Sequence, residues 1–245
     1  MKWKNSACFN NLTYIDQKVP TLYSAATTGN DSSNPIVYGQ VNPFVVNYND
    51  TVQVVVNNND VANHPFHLHG HDFQVLTRPD SGTGPWPGKD ENYESTPPMR
   101  DTVTIMPNSY VVLRFRATNP GVWLFHCHIE WHVEMGLTAT VIEAPDHLQG
   151  MTFPDDHINA CKLMGTPYQG NAAGNTENAT NTTGFITVPP TTYNGWVLPF
   201  LLCFAPVDSP FLGGHHIILP LMANRPLLQQ THVQRKQHHH LDRHN

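Results

Sequence analysis

From Val41 to Glu143 the chain runs in short apolar stretches rich in Val, Phe, Tyr and Thr, separated by Asn, Asp, Gly and Pro. These stretches are 44–47, 52–56, 73–76, 102–105, 110–115, 122–125 and 137–143. Runs of this length, β-branched or aromatic and bounded by turn residues such as Asn49-Asp50, predict strands. Several in succession predict an all-β domain, an antiparallel sandwich or barrel, over residues 1–150. Residues 1–35 carry no such alternation and are expected to be irregular. Arg78 to Pro98, rich in Pro, Gly and Asp, is expected as a long loop, either functional or a surface insertion. Past Pro145 the alternation stops. Residues 151–175 are expected as an irregular C-terminal extension. Residues 176–245 are expected as a low-complexity stalk and a disordered tail, with the stalk opening near Gly170.

Composition narrows the function classes. The formal net charge is −6 and only 13% of residues are charged, so no basic face for nucleic acid is available. The apolar run 196–205, WVLPFLLCFA, is ten residues long, whereas a bilayer span needs about 20. The run is expected either as an apolar segment of the tail or as the opening of a membrane anchor that is not intact in this chain. The N-terminus, MKWKNSACFNNL, has no apolar core of the kind a signal peptide needs. Five Asn-x-Ser/Thr sequons, at Asn11, Asn30, Asn49, Asn178 and Asn181, nevertheless favour a secreted or cell-surface protein. Of the four cysteines, Cys8, Cys127, Cys161 and Cys203, no two form a CxxC pair, which argues against zinc ribbons and thioredoxin-like chemistry.

The chemistry lies in two histidine-rich motifs, HPFHLHG from His64 to Gly70 and HCHIEWH from His126 to His132. In an extended strand, successive side chains face opposite sides. His126 and His128 then point one way and Cys127 the other. His67 and His69 share a face, and His64 has the opposite parity. His132 follows Cys127 by five residues, far enough to curl back to it. Parity thus sorts the ligands into two sets. His64, Cys127 and His132 make a His₂Cys set of the kind that binds blue copper. His67, His69, His126 and His128 face a second metal site.

HPFHLHGH and NPGVWLFHCHIEWHVEMGL resemble the last cupredoxin domain of the multicopper oxidases. The resemblance spans about Leu12 to Gly174 and implies a cupredoxin-like Greek-key fold. It implies type 1 copper on His64, Cys127 and His132, with Leu137 at the axial position. It further implies that His67 is a type 2 ligand and that His69, His126 and His128 are type 3 ligands. Electrons from substrate would enter at type 1 copper and pass through Cys127 to a trinuclear cluster that reduces O2 to water. NNLTYIDQKVPTL, HIEWH and HINACKLMGTPYQGNAAGNT resemble the fungal iron-transport ferroxidases more specifically. That resemblance implies Fe2+ as substrate, an iron permease as partner of the full-length protein and a catalytic role for Asp60. Asp60 is either that carboxylate or a turn residue in NNND. Oxidation of phenols, as in laccases, is the alternative, and a one-domain blue-copper electron carrier is another.

Among the remaining residues, Glu130 and Trp131 are expected to shape the loop around the coppers. His71 is expected to be a supporting or core residue rather than a ligand. Arg100 and Asp101 are either a buried pair near the site or a surface pair. Cys161 resembles a cysteine that is disulfide-bonded in relatives. The first domain of such oxidases contributes HxH pairs written HWHG and HSH, and neither occurs here. The chain is therefore expected to be a fragment that forms at most the type 1 centre by itself.

Overall fold

In the computed structural model, residues 7–89, 93, 95–188 and 198–206 are described. Two sheets face each other. One contains β1 (Ala7–Phe9), β3 (Thr51–Asn58), β5 (Phe73–Thr77), β6 (Met99–Arg100), β8 (Ser109–Arg116) and β11 (Leu198–Pro206), in the order β1-β11-β3-β8-β5-β6. The other contains β2 (Pro43–Val46), β4 (His64–Leu68), β7 (Thr102–Ile105), β9 (Gly121–Cys127) and β10 (Thr138–Glu143), in the order β2-β10-β9-β4-β7. Most neighbouring pairs are antiparallel, but β2 runs parallel to β10 and β1 to β11. Every predicted run forms a strand, within a residue or two at each end.

The core fills the space between the sheets. Val52, Val54 and Val56 of β3, with Val111, Leu113 and Phe115 of β8, project from one side. Phe66 and Leu68 of β4, Phe125 and Cys127 of β9, and Ala139 and Val141 of β10 project from the other. The i, i+2 spacing within each set is the signature of one inward sheet face. Phe66 packs against Phe9 and Phe125 with ring centroids 5.6 and 5.2 Å away.

Three features depart from the sequence expectations. β4 emerges from a stretch whose histidines mask its alternation, although its burial alternates strictly. Residues 1–35 are not wholly irregular: Thr21–Thr27 forms helix α1, buried along Tyr23 to Ala26. The expected stalk folds back onto the domain as far as residue 188. Asn171 is fully buried and donates to the carbonyls of Ala179 and Asn181, and Gln17 exchanges hydrogen bonds with the backbone of Ile186. Low bulk does not prevent packing here, because asparagine amides satisfy the loop backbone. Helix α3 (Asp155–Met164) lies in the extension with no buried residue. The expected disordered tail lies, from residue 207 onward, outside the described residues.

Candidate metal centre

Strand register sorts the candidate ligands. β4 and β9 pair antiparallel, with Phe66 opposite Cys127 and His67 opposite His126. Directly opposed residues share a face. Cys127 therefore joins His64 and Phe66 on the core side, while His67 and His126 face outward. The chain leaves β9 at Cys127 and enters helix α2 (Glu130–Glu134), which carries His132 back over the sulfur. Gly136, with φ +94°, ends that turn and admits Leu137, whose N–H donates to the His132 carbonyl at 2.9 Å.

On the core side, His132 Nδ1 lies 3.3 Å and His64 Nδ1 3.6 Å from Cys127 Sγ. The three ligand atoms lie within 4.8 Å of one another and all three residues are buried. Leu137 is also buried, in the same cluster as Cys127. Asp60 makes a turn contact and a contact to the candidate ligand His64 at the same time. Its Oδ1 accepts the Val61 N–H at 2.7 Å, a turn contact, while Oδ2 lies 2.9 Å from His64 Nε2. A carboxylate on Nε2 keeps the proton there and leaves the Nδ1 lone pair facing the sulfur. Burial lowers the proton affinity of His64, against the raising effect of Asp60. Burial and the neighbouring His64 take His132 down to about 4. Burial pushes the Cys127 thiol up to about 11. The site thus offers two neutral imidazoles and a thiol in a dry pocket. A thiophilic cation that takes histidine nitrogen, such as copper, suits that donor set, and it would displace the thiol proton.

On the outward side, four imidazoles cluster. The rings of His67 and His69 have centroids 4.9 Å apart, His126 and His128 5.6 Å, and His67 and His128 5.9 Å. Backbone carbonyls set two tautomers. His67 Nδ1 donates to the Asp101 carbonyl at 2.9 Å, and His126 Nδ1 to the Cys127 carbonyl at 3.0 Å. Each neutral ring then presents a bare Nε2. His69 Nε2 approaches His126 Nε2 at 2.9 Å and supplies the proton between them. Burial, then the charges of His126, His67 and His128, lower the proton affinity of His69. A metal ion held by both nitrogens would replace that proton.

The supporting residues divide. Trp131 sits against His132 with ring centroids 4.0 Å apart and is 59% exposed. Glu130, Arg100 and Asp101 are exposed, which removes the buried-pair reading of Arg100 and Asp101. Cys161 is half-buried, its sulfur 3.9 Å from the Tyr23 hydroxyl. His71 lies off the cluster, with Nε2 2.8 Å from Glu143 Oε2. Burial would lower His71, but Glu143 and the His69 carbonyl outweigh it and the net shift is upward. Sequence reasoning missed Glu143, and its one signal is a carboxylate ending the apolar run of β10.

A multicopper oxidase family model matches residues 14–147. The chain belongs to the multicopper oxidase family. This chain is 49% identical over 191 residues to the iron transport multicopper oxidase fetC of Epichloe festucae, covering 76% of the chain and 31% of that relative. It is 50% identical over 186 residues to the iron transport multicopper oxidase FET3 of Gibberella zeae, covering 74% and 30%. The chain thus spans about a third of the length of these relatives. Its fold is similar to the crystal structure of Fet3p, a multicopper oxidase that functions in iron import, with TM-score 0.65 and 38% identity over 69% of this chain and 34% of that one. Copper is the family's cofactor, and the His64, Cys127 and His132 group resembles its type 1 site. Among the described residues, no helix is long and apolar enough to cross a membrane.

Proposed function

We propose that this chain is the C-terminal copper-binding domain of a ferroxidase. His64, Cys127 and His132 hold the type 1 copper, with the donor-free Leu137 beside it. His67 is a ligand of type 2 copper, and His69, His126 and His128 are ligands of the type 3 pair. Bound copper supplies one-electron chemistry between Cu(II) and Cu(I), and O2 is the final acceptor. The chain supplies the path between the two centres: Cys127 faces one, and its covalent neighbours His126 and His128 face the other.

The observation that carries the iron reading is the contact between Asp60 Oδ2 and His64 Nε2, with the Asp60 side chain 14% exposed. Fe2+ is a hard cation, and oxygen ligands favour it further as Fe3+, which promotes electron loss. A carboxylate in contact with a ligand imidazole offers both a binding oxygen and a short path to the copper. The iron-transport names of the relatives support the same substrate. In the full-length oxidase, Asp60→Ala should cut kcat/KM for Fe2+ at least tenfold, about 1.4 kcal/mol, while sparing phenol oxidation. An equal loss with both substrates would favour the laccase reading. All five sequon asparagines are exposed, which supports an extracellular location and, for the Fe3+ product, a permease partner at the cell surface.

A second reading concerns this polypeptide by itself. Among the described residues, His64, Cys127 and His132 are the one group of three or more side chains whose ligand atoms lie close enough together to hold an ion. That favours a one-copper, blue-copper behaviour of the isolated chain. Copper analysis decides it: one copper per chain with a strong thiolate band and no O2 uptake supports this reading, and four coppers per chain with Fe2+ turnover refutes it.

A further inference from the structure

The segment that carries His69 past the end of β4 is held through both backbone groups of His69 and the carbonyl of Gly70. The His69 N–H donates to the Leu124 carbonyl at 3.0 Å. The His69 carbonyl accepts from His71 Nδ1 at 3.1 Å, and the Gly70 carbonyl accepts from Asn119 Nδ2 at 3.0 Å. Gly70 has φ +70°, and a Cβ there would meet the Trp123 ring at 2.6 Å, so the segment lies flat on that indole. Trp123 Nε1 in turn donates to the Asn119 carbonyl at 2.8 Å.

These contacts converge on one buried carboxylate. Glu143 Oε1 accepts the Asn119 N–H, and Oε2 lies 2.8 Å from His71 Nε2. The Glu143 side chain is 0% exposed and that of His71 is 5% exposed. The Oε2 contact is an ion pair when His71 is protonated, and it does not meet hydrogen-bond geometry. Glu143 closes β10, where it pairs with Gly121 of β9 and Val46 of β2, so its backbone is fixed on both sides. The His71 ring is also packed, against Phe115 and Trp123. A buried ionic contact is weak evidence for stability, since apolar residues of similar volume often serve as well. Its better-attested use is to specify one geometry. Here the geometry is the 2.9 Å approach of His69 to His126.

We propose that His71, anchored by Glu143, is a positioning residue that aims His69 at His126. It touches neither metal nor substrate and acts through the His69 carbonyl. Partners of this kind, one layer behind the ligands, tune both orientation and affinity at metal sites. The inference rests on reading His69 and His126 as ligands of one copper.

The test uses the metal-free full chain labelled with 15N-histidine. Wild type should show a hydrogen-bonded pair between the His69 and His126 Nε2 atoms. His71→Ala should abolish that signature. His71→Asn should retain it, because the Asn amide nitrogen sits where Nδ1 sits and can reach the His69 carbonyl. His71→Gln, which places its amide at the Nε2 position instead, should not. An unchanged signature in His71→Ala, or identical behaviour of the Asn and Gln variants, would overturn the proposal. If His71→Ala fails to fold, the Asn and Gln comparison carries the test, with thermal melting to separate global from local loss. Copper(II) titration of wild type tests the underlying reading separately. If copper leaves the His69 and His126 resonances unbroadened, the ligand assignment fails while the metal-free comparison still decides the positioning role.

Discussion

At His64 the two ring nitrogens have different neighbours, Asp60 on Nε2 and Cys127 on Nδ1, and that difference decides what the ring can do. The same logic runs through His67 and His126, where a carbonyl claims Nδ1 and leaves Nε2 bare. Two predictions belong at this scale. Leu137 is buried next to the Cys127 backbone and has no donor atom. Leu137→Met would add a thioether that favours Cu(II), so the type 1 potential should fall in a redox titration. The second concerns acid. His132 is held at about 4 in the metal-free fold, below its usual 6.5. The unfolded chain therefore binds more protons between those values, and stability is complete above pH 6.5 and lost as pH falls toward 4. Urea midpoints of the metal-free chain should decline across that window, and less steeply in His132→Gln.

Among the elements, α2 and the turn after it matter most to the centre. Five helical residues return His132 to the sulfur, and Gly136 reverses the chain so that Leu137 enters the core. A Cβ on Gly136 would meet Thr13 Cγ2 at 2.3 Å in a backbone region that disfavours it, φ +94°. Gly136→Ala should therefore cost about 1–3 kcal/mol of stability, read as a lower urea midpoint, and weaken the thiolate band in copper-loaded protein. The elements were legible to different degrees. β3 and β8, eight residues each, and the short β-branched β7 stand out from the sequence. β4 does not, because His64 and His67 among its five residues, and His69 just past its end, place polar groups on both faces. α1 was invisible for another reason: it is short, uncapped by any side chain, and stabilised by tertiary burial rather than by propensity.

For the whole molecule, the proposed type 1 ligands come from β4, the end of β9 and α2, so closing the site ties three elements together. An ion that binds only the folded arrangement raises stability by mass action, about 2.7 kcal/mol at a free concentration 100 times Kd. Copper loading should accordingly raise the melting temperature of the chain, and Cys127→Ser should remove most of that increase. A Tm that is equally copper-sensitive in both proteins would mean that the stabilising ion sits elsewhere. The outward cluster makes a contrasting case. His128 is exposed and His67 and His69 are half-exposed, so the four imidazoles form an open face rather than an enclosed cage.

The sequence by itself determined the division of the candidate ligands between two faces. Parity along a strand is a local property, and HPFHLHG and HCHIEWH carry it without help from the rest of the chain. The motifs also determined the family, because soft and nitrogen donors in that spacing leave few other chemistries. What only the tertiary structure decided is what surrounds those donors. That Asp60 reaches His64 while still closing its turn depends on how the β3–β4 connection folds. That Glu143 stands behind His71, 72 residues further along the chain, depends on β10 lying beside β9 in one sheet. Contacts between distant positions are set by packing and register, which single-residue patterns do not encode.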